Sequence, residues 1–167
     1  NSYLLQHIYY AHLTIWTHNM PPNTPWILTY DHQGPDGILA ELRLNRPQAL
    51  NAFNQSMCES IHTHLNAWIL NPEIKGIVIS GTGERAFCAG GDVRALHQAC
   101  LKDPDTAHTL LRTEYQLIHE MAHCPKPLIS FCQGLTLGGG VGTMIHARWR
   151  VCAPNCQWGM PEAHIGF

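Results

Sequence analysis

Charge is scarce in this chain. Only 13% of its 167 residues are Asp, Glu, Lys or Arg, against about 25% in an ordinary soluble domain. Ten Lys and Arg face twelve Asp and Glu, a formal net charge of −2. No basic stripe exists to follow a phosphate backbone, so a nucleic-acid partner is not expected. No apolar run approaches the ~20 residues of a membrane-spanning helix, so no membrane partner is expected either. The seven Cys include no C-x-x-C pair. Their odd number argues against a disulfide framework and for reduced thiols in a cytoplasmic setting. Nucleotide fingerprints are also missing. No Gly is followed by Lys-Ser or Lys-Thr, and Gly81-x-Gly83 lacks a third glycine. Residues 1–19 hold no Lys, Arg, Asp or Glu, unlike the basic start of a secretory signal or an Arg-rich transit peptide. Met20, before Pro21 and Pro22, would make a natural start. Residues 1–25 are therefore expected to be a loose or upstream extension, and 26–167 the folded unit.

Against these absences, 45% of the chain is hydrophobic, enough at this length for one domain with a real core. Trp26 to Asp31 reads as a strand, Gln33 to Gly37 as turn chemistry and Ile38 to Leu44 as a second, alternating strand. Asn54 to Asn71 has Met57, Ile61, Leu65 and Trp68 at helical spacing, with Asn54 placed to cap it and Asn71-Pro72 to stop it. Ile74 to Ser80 is a buried-type strand. Asp92 opens a helix to about Cys100, Pro104 to His123 is a longer helix, and Leu128 to Gln133 is a third buried strand. A helix from the Gly138-Gly139-Gly140 triplet to about Ala147 and a strand from Trp149 to Ala153 follow. Strands alternating with helices place the chain in the α/β class with at least partly parallel strands.

Two segments repeat one design, a strand followed by a Gly loop and a helix start: Phe87-Cys88-Ala89-Gly90-Gly91-Asp92 and Gly134-Leu135-Thr136-Leu137-Gly138-Gly139-Gly140. Glycine lets the backbone approach a ligand closely, and one free N–H from each loop would make an oxyanion hole. Glu162 follows a rigid Met160-Pro161 turn among Trp158, Met160, Ile165 and Phe167. Apolar company raises a carboxyl's proton affinity and suits it to act as base, acid or nucleophile. His119-Glu120-Met121-Ala122-His123 is a literal H-E-x-x-H on a helix. Cys124-Pro125 breaks that helix at once, and the only later Glu is Glu162, so no metal site is assigned. His62-x-His64 and Cys152-x-x-x-Cys156 lack chelating spacing, and the cysteines read as core residues.

Taken together and in this order, LRLNRPQALNAFN, IKGIVISG, GERAFCAGGDV, CPKPLIS, GLTLGGGVG and MPEAHIGF resemble the crotonase (enoyl-CoA hydratase/isomerase) superfamily from about Trp26 to Phe167. FCAGGDVRAL, GGGVGTMIHARWRV and MPEAHIGF are similar to its 3-hydroxyisobutyryl-CoA hydrolase branch. The resemblance implies a ββα spiral core, cut short at its C-terminal end relative to that family. It implies that the N–H groups of Gly91 and Gly139 hold a thioester carbonyl and that Glu162 is the catalytic carboxylate. Glu114 matches a substrate-contacting Glu. Arg46, Ala49 and Leu50, with Ala89, Gly90 and Asp92, would line the coenzyme A channel.

Coenzyme A is then part of the substrate, and no cofactor is expected. Family hydratases carry a Glu two residues after the Gly triplet, where this chain has Gly142. Hydrolysis of a small β-hydroxyacyl-CoA in valine catabolism is the expectation, with an acyl-CoA partner and possible self-association. The alternatives are an enoyl-CoA isomerase or hydratase, and a non-catalytic CoA-binding module. In the hydrolase branch a second acid, an Asp, follows shortly after the position reached by Phe167. The chain is expected to be the N-terminal part of a larger enzyme.

Overall fold

The computed structural model describes residues 25–166. The extension expected over residues 1–25 lies outside them except for Pro25, as does Phe167.

A tight turn at Pro35-Asp36 joins β1 (Ile27–Gly34) to β2 (Gly37–Leu44) as an antiparallel hairpin. Along β2 the period of two separates the faces. Ala40, Leu42 and Leu44 are fully buried in the main core, while Glu41 and Arg43 point to the other side of the sheet. Glu41 is fully buried there and is held by several partners. It accepts from Ser80 Oγ at 2.5 Å and Arg43 Nε at 2.9 Å, with His32 Nε2 at 2.7 Å. A buried carboxylate needs such pairing.

β3 (Ile74–Gly81), β5 (Leu128–Cys132) and β7 (Trp149–Cys152) extend this sheet in parallel, in the order β1-β2-β3-β5-β7. The apolar runs of β3 and β5 are buried on both faces, as parallel strands require. A second sheet joins the short strands β4 (Ala86–Cys88), β6 (Leu135–Leu137) and β8 (Gln157–Gly159), also parallel. The chain thus passes three times from the large sheet to the small one: β3 to β4, β5 to β6 and β7 to β8. After the first two passes it continues into helix. The implied ββα spiral is present.

The helices are α1 (Gln55–Leu70), α2 (Val93–Lys102), α3 (Pro104–Ala122) and α4 (Gly139–Ile145). Asn54 caps α1 by accepting from Met57 N–H at 2.8 Å, and Asp92 caps α2 from Ala95 N–H at 3.0 Å. Among the described residues no helix is long and apolar enough to cross a membrane. Each element read from the sequence is present, most with ends shifted by one or two residues. The pairing of β4, β6 and β8 into a second sheet was not legible. Three-residue strands carry too little periodicity to show which neighbours they will find.

Candidate active site

Because β4, β6 and β8 run parallel side by side, the loops that leave their C-terminal ends emerge at one edge. The first carries Gly90 and Gly91, the second Gly138 and Gly139, and the third Met160, Pro161 and Glu162. Together they border a cavity of about 380 Å³, closed on the other side by α1 and α3. Helix α3 turns Leu110, Leu111, Glu114, Tyr115 and Ile118 to the cavity, at the 3- and 4-residue spacing of one helix face. Leu117 and Met121 on the same helix are buried in the core.

The Gly91 loop is pinned from outside the small sheet. Phe53 N–H donates to Gly90 O and Asp92 N–H to Phe53 O, both at 2.8 Å. In this parallel bridge the residue between, Gly91, aims its own N–H the opposite way. The Gly139 loop is pinned by Gly138 N–H, which donates to Gly159 O at 3.1 Å. The two glycines singled out from the sequence therefore flank one cleft, with Glu162 beside them.

Glu114 reaches the same place. A Cβ added to either Gly91 or Gly139 would collide with the Glu114 carboxyl, and one on Gly138 would lie 2.7 Å from Glu162 Oε1. The two carboxyls thus stand against adjacent glycines. A side chain at position 91 or 139 would displace the Glu114 carboxyl from the space it occupies. The Glu114 acid is pushed up to about 7, first by burial and then by the negative charge of Glu162. Cys58, on the α1 wall, is pushed up to about 12, mainly by burial. Its thiol stays protonated and is no nucleophile at neutral pH.

The segment around Arg46 sits beside this cavity and braces one of its loops. Ala89, Gly90 and Asp92 line the cavity, but Arg46, Ala49 and Leu50 do not. Arg46 pairs with Asp92 Oδ2 at 2.7 Å and donates to Ala52 O at 3.2 Å. Burial by itself would raise Asp92, but the Ala95 N–H and the Arg46 guanidinium outweigh it and hold the acid below its usual range. The Arg46 cation is spent on bracing the Gly91 loop.

Asn51, which sequence reasoning did not single out, organises that brace. It is fully buried, its Nδ2 donates to Thr82 O at 2.8 Å and Ala86 O at 3.0 Å, and its Oδ1 accepts from Arg46 N–H at 2.9 Å. Its φ of 54° is a left-handed value that Asn tolerates better than most residues. Asn51→Ala is expected to cost about 3–5 kcal/mol, from unpaired buried groups and backbone strain. Urea unfolding measures it, and a loss below about 1 kcal/mol would mean the loop is held by other contacts.

The H-E-x-x-H residues are engaged elsewhere. Glu120 Oε2 lies 2.6 Å from His62 Nδ1 on α1, the rings of His119 and His123 are 4.2 Å apart, and His123 Nδ1 is 2.8 Å from His119 O. Among the described residues no group of three or more His, Cys, Asp or Glu is arranged to hold a metal ion.

Comparison with known proteins bears on the family and the fold. Residues 39–167 match the family model described as enoyl-CoA hydratase/isomerase. A mitochondrial 3-hydroxyisobutyryl-CoA hydrolase of Gallus gallus is 42% identical over 81% of the chain, and that of Bos taurus is 36% identical over all of it. The chain spans only 34% and 42% of those proteins' lengths. Among solved structures, a carnitinyl-CoA dehydratase from Mycobacterium thermoresistibile superposes with a TM-score of 0.80 at 33% identity, covering 86% of this chain and 41% of that one. An enoyl-CoA hydratase from Rhodobacter sphaeroides gives 0.72 at 38% identity, covering 80% and 40%. The chain belongs to the enoyl-CoA hydratase/isomerase family.

Proposed function

We propose that this family member carries the thioester-cleaving site of an acyl-CoA hydrolase. Its substrate is a small β-hydroxyacyl-CoA, 3-hydroxyisobutyryl-CoA, which the names of the Gallus and Bos relatives support, and the reaction then belongs to valine breakdown. The substrate's carbonyl oxygen sits between the N–H groups of Gly91 and Gly139, where donors aimed at the developing oxyanion lower the barrier. Glu162 attacks the carbonyl carbon or takes the proton of the attacking water. Ala89, Gly90 and Asp92 border the path of coenzyme A, and Arg46 with its loop keeps that border in place.

The observation that carries hydrolysis over hydration is at Gly142. By the family resemblance a hydratase places a carboxylate there, facing the one at Glu162. Here Gly142 lies under Ile118, whose Cδ1 would be 2.8 Å from any Cβ at that position. At that point the wall presents the Ile118 side chain and no carboxylate.

The protein carrying this chain, supplied with 3-hydroxyisobutyryl-CoA, is expected to release free thiol, and with an enoyl-CoA to leave the double bond in place. A thiol-specific dye and the enoyl absorbance read the two outcomes. Hydration or double-bond migration without thiol release would replace the reading with hydratase or isomerase. Saturable coenzyme A binding with neither reaction would replace it with a binding module.

A further inference from the structure

The cleft holds two carboxyls, and only one has been given work. Glu114 lies against the Cα atoms of Gly91 and Gly139, next to the place proposed for the thioester, and shares the cavity with Glu162. Among the described residues it makes no ion pair and no hydrogen bond that would fix it as a structural brace. The contrast with Glu41 is plain, since that buried carboxylate is held by Arg43, Ser80 and His32. A half-buried carboxyl without a cation, aimed into a reaction cleft, is the arrangement of an acid that trades protons with what enters.

We propose that Glu114 is the general acid of the site, delivering its proton to the departing sulfur of coenzyme A. The proposal rests on the thioesterase reading and gives it an acid at the leaving group, a role separate from that of the Asp the resemblance expects after Phe167. The proton balance closes. Water bonds to the carbonyl carbon as its proton passes to ionised Glu162. The tetrahedral oxyanion collapses, the C–S bond breaks with its electron pair going to sulfur, and sulfur takes the Glu114 proton. Free acid and coenzyme A thiol leave. The proton on Glu162 then returns through solvent to Glu114, restoring one protonated and one ionised carboxyl.

The charged and titratable groups around Glu114 support this division. Glu162 faces it from the loop after β8, Cys58 from α1 and Cys88 from β4, while Asp92 and Tyr115 border the same cavity. The Asp92 charge is answered by Arg46, and burial keeps both thiols neutral. No cation among the described residues offsets the Glu162 charge at Glu114, so the proton stays on Glu114 up to about pH 7. An acid near neutrality is matched to protonating a thiolate at physiological pH.

The test compares wild type with Glu114→Gln and Glu114→Asp on two thioesters of one acid, the coenzyme A ester and a 4-nitrothiophenyl ester. The nitrothiophenolate leaves readily without a proton. Glu114→Gln is expected to lower kcat on the coenzyme A ester by roughly 10²-fold or more with KM little changed, and to abolish the fall in rate above about pH 7. Activity on the nitrothiophenyl ester is expected to remain within about 10-fold of wild type, and Glu114→Asp to regain part of the loss. A raised KM at unchanged kcat, or equal losses on both esters, would make Glu114 a substrate contact and overturn the proposal. An infrared titration of the carboxyl groups needs no turnover and separates the two readings. A protonated carboxyl that persists to about pH 7, and is missing from Glu114→Gln, is expected. Its absence from wild type overturns the acid assignment, whereas absence of thiol release with the signal present overturns the thioesterase reading.

Discussion

Replacing Glu162 with Gln is expected to reduce thiol release by roughly 10³-fold or more, while coenzyme A binding stays within about threefold of wild type. The asymmetry follows from placement. Glu162 begins a short 3-10 helix directly after Pro161, which fixes the approach of the chain, and its carboxyl projects beside Gly138. The amide of Gln fits the same volume but can neither take a proton from water nor attack a carbonyl. Ala89, Gly90 and Asp92, which we propose border the coenzyme A path, are untouched by the change. The fold is expected to be no less stable, because the substitution removes the negative charge that opposes ionisation of Glu114. A stopped assay for free thiol and a binding titration with coenzyme A read the two effects. Wild-type rates in Glu162→Gln would remove this residue from the chemistry. Equal loss of binding and rate would instead point to a collapsed pocket.

The second large effect separates two neighbours in the glycine triplet. A methyl at Gly140 would be driven into the backbone carbonyl of Cys88 and would stand 3.0 Å from its Cβ. Both belong to β4, whose position is set by its pairing with β6, so neither can move without opening the small sheet. Gly140→Ala is therefore expected to cost about 3 kcal/mol or more and to yield little folded protein. The atoms nearest a methyl at Gly139 belong to Glu114, whose carboxyl is the free end of a flexible side chain. Gly139→Ala is expected to keep its melting temperature within a few degrees but to lose activity by roughly 10²-fold, since the hole and the acid are both displaced. Thermal unfolding and the thiol assay on the two variants give opposite rankings if this is right. If both variants unfold alike, the triplet is a packing element and Gly139 has no separate part in the site.

Much of the site could be read before the structure, though for unequal reasons. Gly91, Gly139 and Glu162 could be found because each ends a strand-and-loop segment with a recognisable composition, and the family resemblance gave them roles. Glu114 was named only through the resemblance. On its own it is one polar residue in a helix, and nothing local says that α3 turns it toward the two glycine loops. Arg46 was placed on the coenzyme A path by the resemblance alone. What the structure adds is its partner, Asp92, 2.7 Å away across 46 positions of sequence, which nothing local announces. Asn51 left no signal because its side-chain hydrogen bonds run to residues 5, 31 and 35 positions distant.

The sequence by itself determined the class and the local order of the chain. Helical spacing from Met57 to Trp68, the caps at Asn54 and Asp92, and the apolar run from Ile74 are consequences of backbone geometry and burial that act over a few residues. What only the tertiary structure decided is adjacency. Three short parallel strands, none distinctive alone, bring three loops to one edge, and a helix from another layer lays a carboxyl across them. The proton affinity of Glu114 has no local origin. It comes from the burial imposed by α1, α3 and the glycine loops, and from a second carboxylate 48 positions further along the chain.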